Sequence, residues 1–161
     1  ATERDRSYWR DVGTIDSYYD AHMDLISTMP IFNLYNDEWP VFNQQINMAP
    51  AKFIHDSEGN QGRTNDSIVS LGVVVSGSVI ERSVLSPNVR VFSRSLVTDS
   101  VILDNVEIGR DCTIRKAILD KDVAVADGAS IGVNRERDIE RGFTVTDSGI
   151  TVVTKGLLVK P

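Results

Sequence analysis

A repeat governs what this chain can fold into. Four stretches superpose: Ser67-Ile-Val-Ser-Leu-Gly-Val-Val-Val75, Ser83-Val-Leu-Ser-Pro-Asn-Val-Arg-Val91, Ser100-Val-Ile-Leu-Asp-Asn-Val-Glu-Ile108 and Ala117-Ile-Leu-Asp-Lys-Asp-Val-Ala-Val125. Their starts lie 16, 17 and 17 residues apart. A finer period of six runs inside it, with Val73, Val79, Leu85, Val91, Val97 and Leu103 all aliphatic. Three six-residue sides make a coil of about eighteen, shortened here by a residue or two. Strands of four or five residues, each ending at a turn residue such as Gly72, Asn88, Asn105 or Asp122, are too short to bury a face alone. Stacked coils share one continuous aliphatic interior instead. The expected fold is therefore mainly β: a parallel β-helix of hexapeptide repeats, with an N-terminal helix and a connecting loop segment. The competing architecture, an antiparallel sandwich, calls for hairpin dipeptides. Asp127-Gly128 is the only Asn-Gly or Asp-Gly pair.

A narrow interior also explains where the rings are. Nine of the eleven aromatic residues lie in residues 1–66, and only Phe92 and Phe143 lie beyond. Charge divides at the same place: residues 1–66 carry 5 Lys/Arg against 11 Asp/Glu, and residues 67–161 carry 12 against 12. A nucleic-acid reader needs a basic surface with interleaved aromatics, and here the aromatic half is the acidic one, so no nucleic-acid partner is expected. With Cys112 as the single cysteine there is no internal disulfide. No apolar run approaches ~20 residues, and residues 1–10 are charged and aromatic rather than signal-like. The expectation is a cytoplasmic protein with no membrane partner.

The flanks of the repeat read as follows. The coils end near Gly132, residues 135–141 form one or two helical turns stopped by Gly142, and Asp147-Ser-Gly149 closes a hairpin between Phe143–Thr146 and Ile150–Thr154. Upstream, Ile15, Tyr18, Tyr19, His22 and Ile26 share one face of a helix over residues 15–28, with Thr14 as N-cap and Asp16 in its first turn. Pro30 ends it. Pro40 and Pro50 punctuate the run that follows, whose Trp39, Phe42 and Phe53 are predicted to pack on another surface. Three segments result: residues 1–29, 30–66 and 67–161.

Candidate chemistry concentrates in Trp9-Arg-Asp-Val-Gly-Thr14. A Trp face stacks on sugar rings, a carboxylate binds a divalent cation, and a helix N-terminus supplies positive potential. The purely structural alternative is a Trp anchor and an Asp bonded to backbone at a helix entry. His22 is expected to be a packed helix edge, His55 a loop residue, and Cys112 a small buried or turn residue. No Gly-rich phosphate loop occurs. Arg115, Lys116, Lys121, Arg135, Arg137, Arg141, Lys155 and Lys160 could converge on a phosphate; ion pairs with Asp111, Asp120, Glu136, Asp138 and Glu140 are the alternative.

Tyr8-Trp-Arg-Asp-Val-Gly-Thr14 with its Tyr-rich helix, Trp39-Pro40, Pro50-Ala-Lys-Phe53, Ser67-Ile-Val69, the coils, Ile131-Gly-Val-Asn134 and Gly149-Ile-Thr-Val-Val-Thr154 occur in an order that resembles a known family over essentially the whole chain. That family is the bacterial ADP-glucose pyrophosphorylases (glucose-1-phosphate adenylyltransferases), in their C-terminal portion. The resemblance implies a left-handed β-helix, an exception to right-handed crossovers. It implies an enzyme of glycogen synthesis that joins ATP and glucose 1-phosphate to give ADP-glucose and pyrophosphate with Mg²⁺. A homo-oligomer, expected to be a tetramer, under control by phosphorylated metabolite effectors is implied too. The nucleotide-binding core is expected to be absent from this chain, which is expected to be inactive alone. By the same resemblance Asp11 matches the magnesium-binding aspartate, Trp9 a residue lining the glucose site, and Lys121 and Lys155 basic positions of the activator site. Val159 stands where some relatives carry a further basic residue. The alternatives from other classes are a free-standing hexapeptide acyltransferase, which calls for a histidine on the coils where residues 67–132 have none, and a purely structural assembly module.

Overall fold

The computed structural model describes residues 8–42 and 47–161. Residues 1–7 of the expected first segment and 43–46 of the second lie outside the described residues. Among the described residues, seventeen short strands wind into a three-sided solenoid. The first face stacks β1 (Lys52–Ile54), β4 (Val74–Ser76), β7 (Arg90–Val91), β10 (Glu107–Ile108), β13 (Ala124–Val125) and β17 (Leu158–Val159). The second stacks β2 (Arg63–Asn65), β5 (Val79–Glu81), β8 (Leu96–Thr98), β11 (Thr113–Arg115) and β14 (Ser130–Ile131). The third stacks β3 (Ile68–Val69), β6 (Val84–Leu85), β9 (Val101–Ile102), β12 (Ala117–Leu119) and β16 (Thr151–Val153), with β15 (Thr144–Val145) on its edge. Every pairing among these strands is parallel except that of β15 with β16. That exception is the hairpin predicted around Asp147-Ser-Gly149.

The interior is a single column. Val75, Ile80, Leu85, Val91, Val97, Ile102, Ile108, Ile114, Leu119, Val125 and Ile131 point inward, each at most 4% exposed. Their steps are five or six residues, one six with two fives or two sixes with one five in each coil, which is how three sides sum to 16 or 17 residues. A strict period of six therefore slips: it places Val79 and Leu103 inside, whereas the structure half-exposes both and buries Ile80 and Ile102 in their stead. The stacking also extends past both ends of the sequence repeat. β1 and β2, within the segment read as connecting and packing, already pair with β4 and β5. After the excursion through helix α2 (Arg135–Glu140) and the hairpin, β16 and β17 rejoin the third and first faces.

Corners hold the coil. Asn88, Asn105 and Asp122 adopt φ of 63°, 61° and 61°, the left-handed region that Asn and Asp tolerate through local hydrogen bonds. Their side chains form a ladder, Asn88 donating to Asn105 and Asn105 to Asp122, both at 3.0 Å. Serines line two other corners from within. Ser78 Oγ accepts from the N–H of Ser95, and Ser95 Oγ from that of Cys112, at 3.0 and 2.9 Å. Cys112 thus occupies the next rung of a small-residue ladder, buried as expected, and burial pushes its thiol pKa up. The chain leaves the coil at Gly132, where a Cβ would stand 1.7 Å from the Arg115 carbonyl oxygen.

Helix α1 runs over Ile15–Leu25, one turn shorter than predicted. Asp24 ends it, its carbonyl accepting from Ser27 N–H and its carboxylate from Ile31 N–H, which turns the chain before Pro30 can be reached helically. α1 lies on the outside of the third face. Tyr19 is buried with Val101, Ile118 and Ile150, flanked by Tyr18 and Met23. The contact stripe follows Tyr19 rather than Ile15, which is 36% exposed. Of the three aromatics predicted to pack, Trp39 meets Phe32 edge-on, and Phe32 in turn stacks on Tyr8, but Trp39 is 52%, Phe42 91% and Phe53 37% exposed.

Candidate functional site

Two places hold the sequence-predicted site residues. The first is the entry to α1. Thr14 caps the helix in a reciprocal box with Ser17: the Thr14 hydroxyl accepts from Ser17 N–H, and the Ser17 hydroxyl from Thr14 N–H, both at 3.1 Å. Just before it, Asp11 Oδ1 accepts from Gly13 N–H at 2.9 Å. Asp11 is exposed and Trp9 is 83% exposed, so neither acts as a packing anchor within the described residues. No group of three or more His, Cys, Asp or Glu side chains among those residues could enclose a metal ion. A single exposed carboxylate is the share a protein commonly supplies to Mg²⁺ when substrate phosphates and waters complete the shell.

This entry is fastened to the far end of the solenoid. Asp16, in the first turn of α1, accepts hydrogen bonds from the hydroxyls of Ser148 and Thr146 at the hairpin tip. The same tip is gripped from the coil side, Lys116 Nζ donating to the Ser148 carbonyl and Arg135 to the Thr146 carbonyl at 2.8 Å. Tyr19 adds a phenol hydrogen bond to the Asp99 carbonyl at 2.6 Å.

The second place is a corner between the third and first faces. Register pairs Ala124 with Leu158, so three residues earlier Lys121 is paired with Lys155. Gly156 N–H donates to the Lys121 carbonyl at 2.9 Å, which fixes that alignment. Both lysines are exposed. Lys155 reaches Asp122 at 3.7 Å, and Lys121 forms no ion pair among the described residues. Like charges on adjacent rungs repel, and a bound anion would relieve them. The register thus sets Lys121 beside Lys155, while Trp9 and Asp11 are both exposed on the approach to α1. Burial, with the Asp120 and Asp104 carboxylates nearby, raises the Tyr18 phenol pKa.

Of the other basic residues, Lys116 and Arg135 are engaged by the hairpin tip and Arg141 by an ion pair. Arg141 pairs with the buried Asp138 at 2.5 Å and donates to the carbonyls of Ser130 and Lys160. Asp138 also accepts from Gly132 N–H and the Thr151 hydroxyl, so this pair closes the last coil. The ion-pair alternative holds there. Sequence reading did not single out Asp16 with Ser148; the only local signal was an acidic first turn facing a Ser- and Thr-bearing hairpin 130 residues away. His22 is half-buried with Nδ1 2.9 Å from the Tyr18 carbonyl, and His55 is exposed.

Comparison with known proteins agrees with this architecture. Residues 49–153 match the family described as GlmU-like, C-terminal hexapeptide, in keeping with the left-handed coil. The chain is 58% identical over 161 residues to the glucose-1-phosphate adenylyltransferase of Leifsonia xyli subsp. xyli, covering all of this chain and 39% of that protein. It is 57% identical over 159 residues to that of Arthrobacter sp. (99% of this chain, 34% of that protein). For that of Bifidobacterium adolescentis the figures are 54% over 159 residues, 99% and 38%. The chain thus spans about two fifths of the length of these curated relatives. A solenoid of hexapeptide coils, matched by that family's model over residues 49–153, places the chain in the GlmU-like C-terminal hexapeptide family.

Proposed function

We propose that this chain is the regulatory and oligomerisation part of a glucose-1-phosphate adenylyltransferase, which makes ADP-glucose and pyrophosphate from ATP and glucose 1-phosphate for glycogen synthesis. The observation that carries this reading is identity above half along the whole chain, from the Trp9–Thr14 entry to the last coil, with relatives of that name. In the complete enzyme, a cytoplasmic homotetramer, the Asp11 carboxylate would hold Mg²⁺ and the exposed Trp9 ring would line the glucose subsite. Mg²⁺, when bound, neutralises charge on the transferring phosphates. The capping box and the Asp16 bonds hold the Asp11 segment at a fixed attitude to the solenoid.

Lys121 and Lys155 bind the phosphate of an effector. Two ammonium groups on adjacent rungs present a paired positive charge to an anion, and their side chains project from a corner that no buried function requires. The chain alone lacks a phosphate-cradling loop and has no turnover by itself.

Assaying ADP-glucose formation with the complete protein and with this chain tests the reading. Turnover by the complete protein, lost on Asp11→Asn and absent from the isolated chain, is expected. Failure of the complete protein to make ADP-glucose, or full activity of the isolated chain, would overturn it.

A further inference from the structure

The corner that carries Lys121 and Lys155 also carries carboxylates. Register pairs Glu107 with Ala124, so three residues earlier Asp104 lies one rung from Lys121, on the side away from Lys155. The Asp122 N–H bond to the Asp104 carbonyl, at 3.0 Å, fixes that alignment. Asp120 and Asp122 flank Lys121 along the chain. Three carboxylates therefore share the corner with two ammonium groups, one negative charge in excess where an anion is to bind.

The three are not equivalent. Asp120 is turned onto the backbone, its Oδ1 accepting from Lys121 N–H at 2.7 Å. Among the described residues no ion pair joins Asp104 to either lysine, and Asp122 alone reaches one of them, its Oδ2 3.7 Å from Lys155 Nζ. The other oxygen of Asp122 is fixed by the corner ladder, where Oδ1 accepts from Asn105 Nδ2 at 3.0 Å. One oxygen thus anchors the side chain and leaves the second to the ammonium. The ladder itself asks for no charge. It needs an acceptor on a left-handed residue, and the two preceding rungs meet that need with Asn88 and Asn105, at φ of 63° and 61° against 61° for Asp122. Asn would serve equally at the third rung. The negative charge appears only where the chain, on rejoining the coil, brings Lys155 alongside.

Resting on the reading of Lys121 and Lys155 as an anion site, we infer that Asp122 is a built-in counter-ion that competes with the effector phosphate for Lys155 and so sets how tightly the anion is held. Binding is then an exchange: Lys155 leaves Asp122 Oδ2 for the anion, while Lys121 has no ion pair to give up. The pair is made to be released. Its 3.7 Å separation exceeds the about 2.7–2.9 Å of a charge-assisted hydrogen bond, and its side chains are 63% and 47% exposed, so breaking it costs little. The carboxylate nonetheless remains beside the incoming anion and repels it through water, and the two effects together amount to a factor of a few in affinity.

Competitive labelling of the complete protein with acetic anhydride, read by mass spectrometry at Lys121 and Lys155 during a titration with inorganic phosphate at constant ionic strength, tests this role. Phosphate is expected to protect both lysines. Asp122→Asn, which keeps the ladder acceptor and the left-handed backbone, is expected to lower the half-protecting phosphate concentration about threefold or more. Asp122→Gly is expected to do the same, since Gly72 and Gly156 already hold positive φ at this corner. Glu58→Gln removes an equal charge at the corner between the first and second faces, beside Arg94, and is expected to leave the protection unchanged. Thermal melting of each variant reports folding. Protection of both lysines that neither Asp122 variant strengthens, or that Glu58→Gln strengthens as much, overturns the counter-ion role and leaves the anion site standing. Phosphate that protects neither lysine in any of these proteins overturns the anion site, and the counter-ion role with it.

Discussion

Lys155 stands one rung from Lys121, held there by the Gly156 N–H bond to the Lys121 carbonyl at 2.9 Å. The two residues are 34 positions apart in sequence because the chain leaves the coil at Gly132 for α2 and the hairpin before it returns. The excursion therefore decides which residue is stacked on Lys121.

If this pair binds an effector phosphate, Lys121→Ala or Lys155→Ala in the complete enzyme weakens activation by about tenfold or more in effector concentration, the loss of one charge-assisted bond of about 1.5–3 kcal/mol. Unactivated turnover is expected to change little. Effector titrations of initial rate make the measurement. Equal loss with and without effector would assign the lysines to folding instead.

Asp16 ties α1 to the hairpin through Ser148 and Thr146. Asp16→Ala removes these bonds and a favourable charge from the first turn, and is expected to cost about 1–2 kcal/mol. A double-mutant cycle with Ser148→Ala should give a coupling of about 0.5–1.5 kcal/mol by urea denaturation. Strict additivity would mean that the hairpin tip does not hold the helix.

Most of the solenoid was legible in sequence because its corners are chemically marked. Gly72, Asn88, Asn105 and Asp122 are all left-handed in the structure, as turn residues at a regular spacing imply. The inner column was harder to read. Its steps of five and six average near a constant period, and Val79 and Ile80 are equally aliphatic, so only the pairing register separates inside from outside. At the site, the adjacency of Lys121 and Lys155 depends on how the chain rejoins the coil after α2, which no local pattern encodes. Asp16 and Ser148 are joined across 132 residues for the same reason. The capping of α1 by Thr14, a local matter, was fully readable, whereas the helix end was not, because it turns on the Asp24 carboxylate meeting Ile31.

Asp138 is 1% exposed and serves Gly132 N–H, the Thr151 hydroxyl and Arg141 at once. Replacing it by Ala leaves a mostly buried guanidinium without its counter-ion, and the Gly132 N–H and Thr151 hydroxyl without this acceptor. The expected cost is about 3–5 kcal/mol, read as a lowered denaturation midpoint. Replacing Asp138 and Arg141 together by apolar residues should recover part of that loss, since no buried charge then lacks a counterpart. A single Asp138→Ala variant as stable as the parent would show that this pair does not close the coil.

Tyr19 joins the helix to the solenoid by burial and by its bond to the Asp99 carbonyl. Burial, with the nearby Asp99 carboxylate, pushes its phenol pKa up from 10.0 to about 12. The folded state therefore holds this proton more tightly than the unfolded chain does. Its stabilising contribution is complete below pH ~10, where both states are protonated, and declines as pH rises from there through about 12. By linkage the loss approaches the order of 2 kcal/mol at the top of that window. Tyr19→Phe removes the ionisable group and the hydrogen bond together. At neutral pH the variant should be less stable by about 1 kcal/mol. Between pH ~10 and ~12 the gap between the two proteins should close and then invert, because only the parent has a buried phenol to ionise. Urea melts of both proteins at closely spaced pH values, with phenolate absorbance followed in parallel, make the comparison. A gap that stays constant across this range would show that the Tyr19 phenol titrates as it does in the unfolded chain.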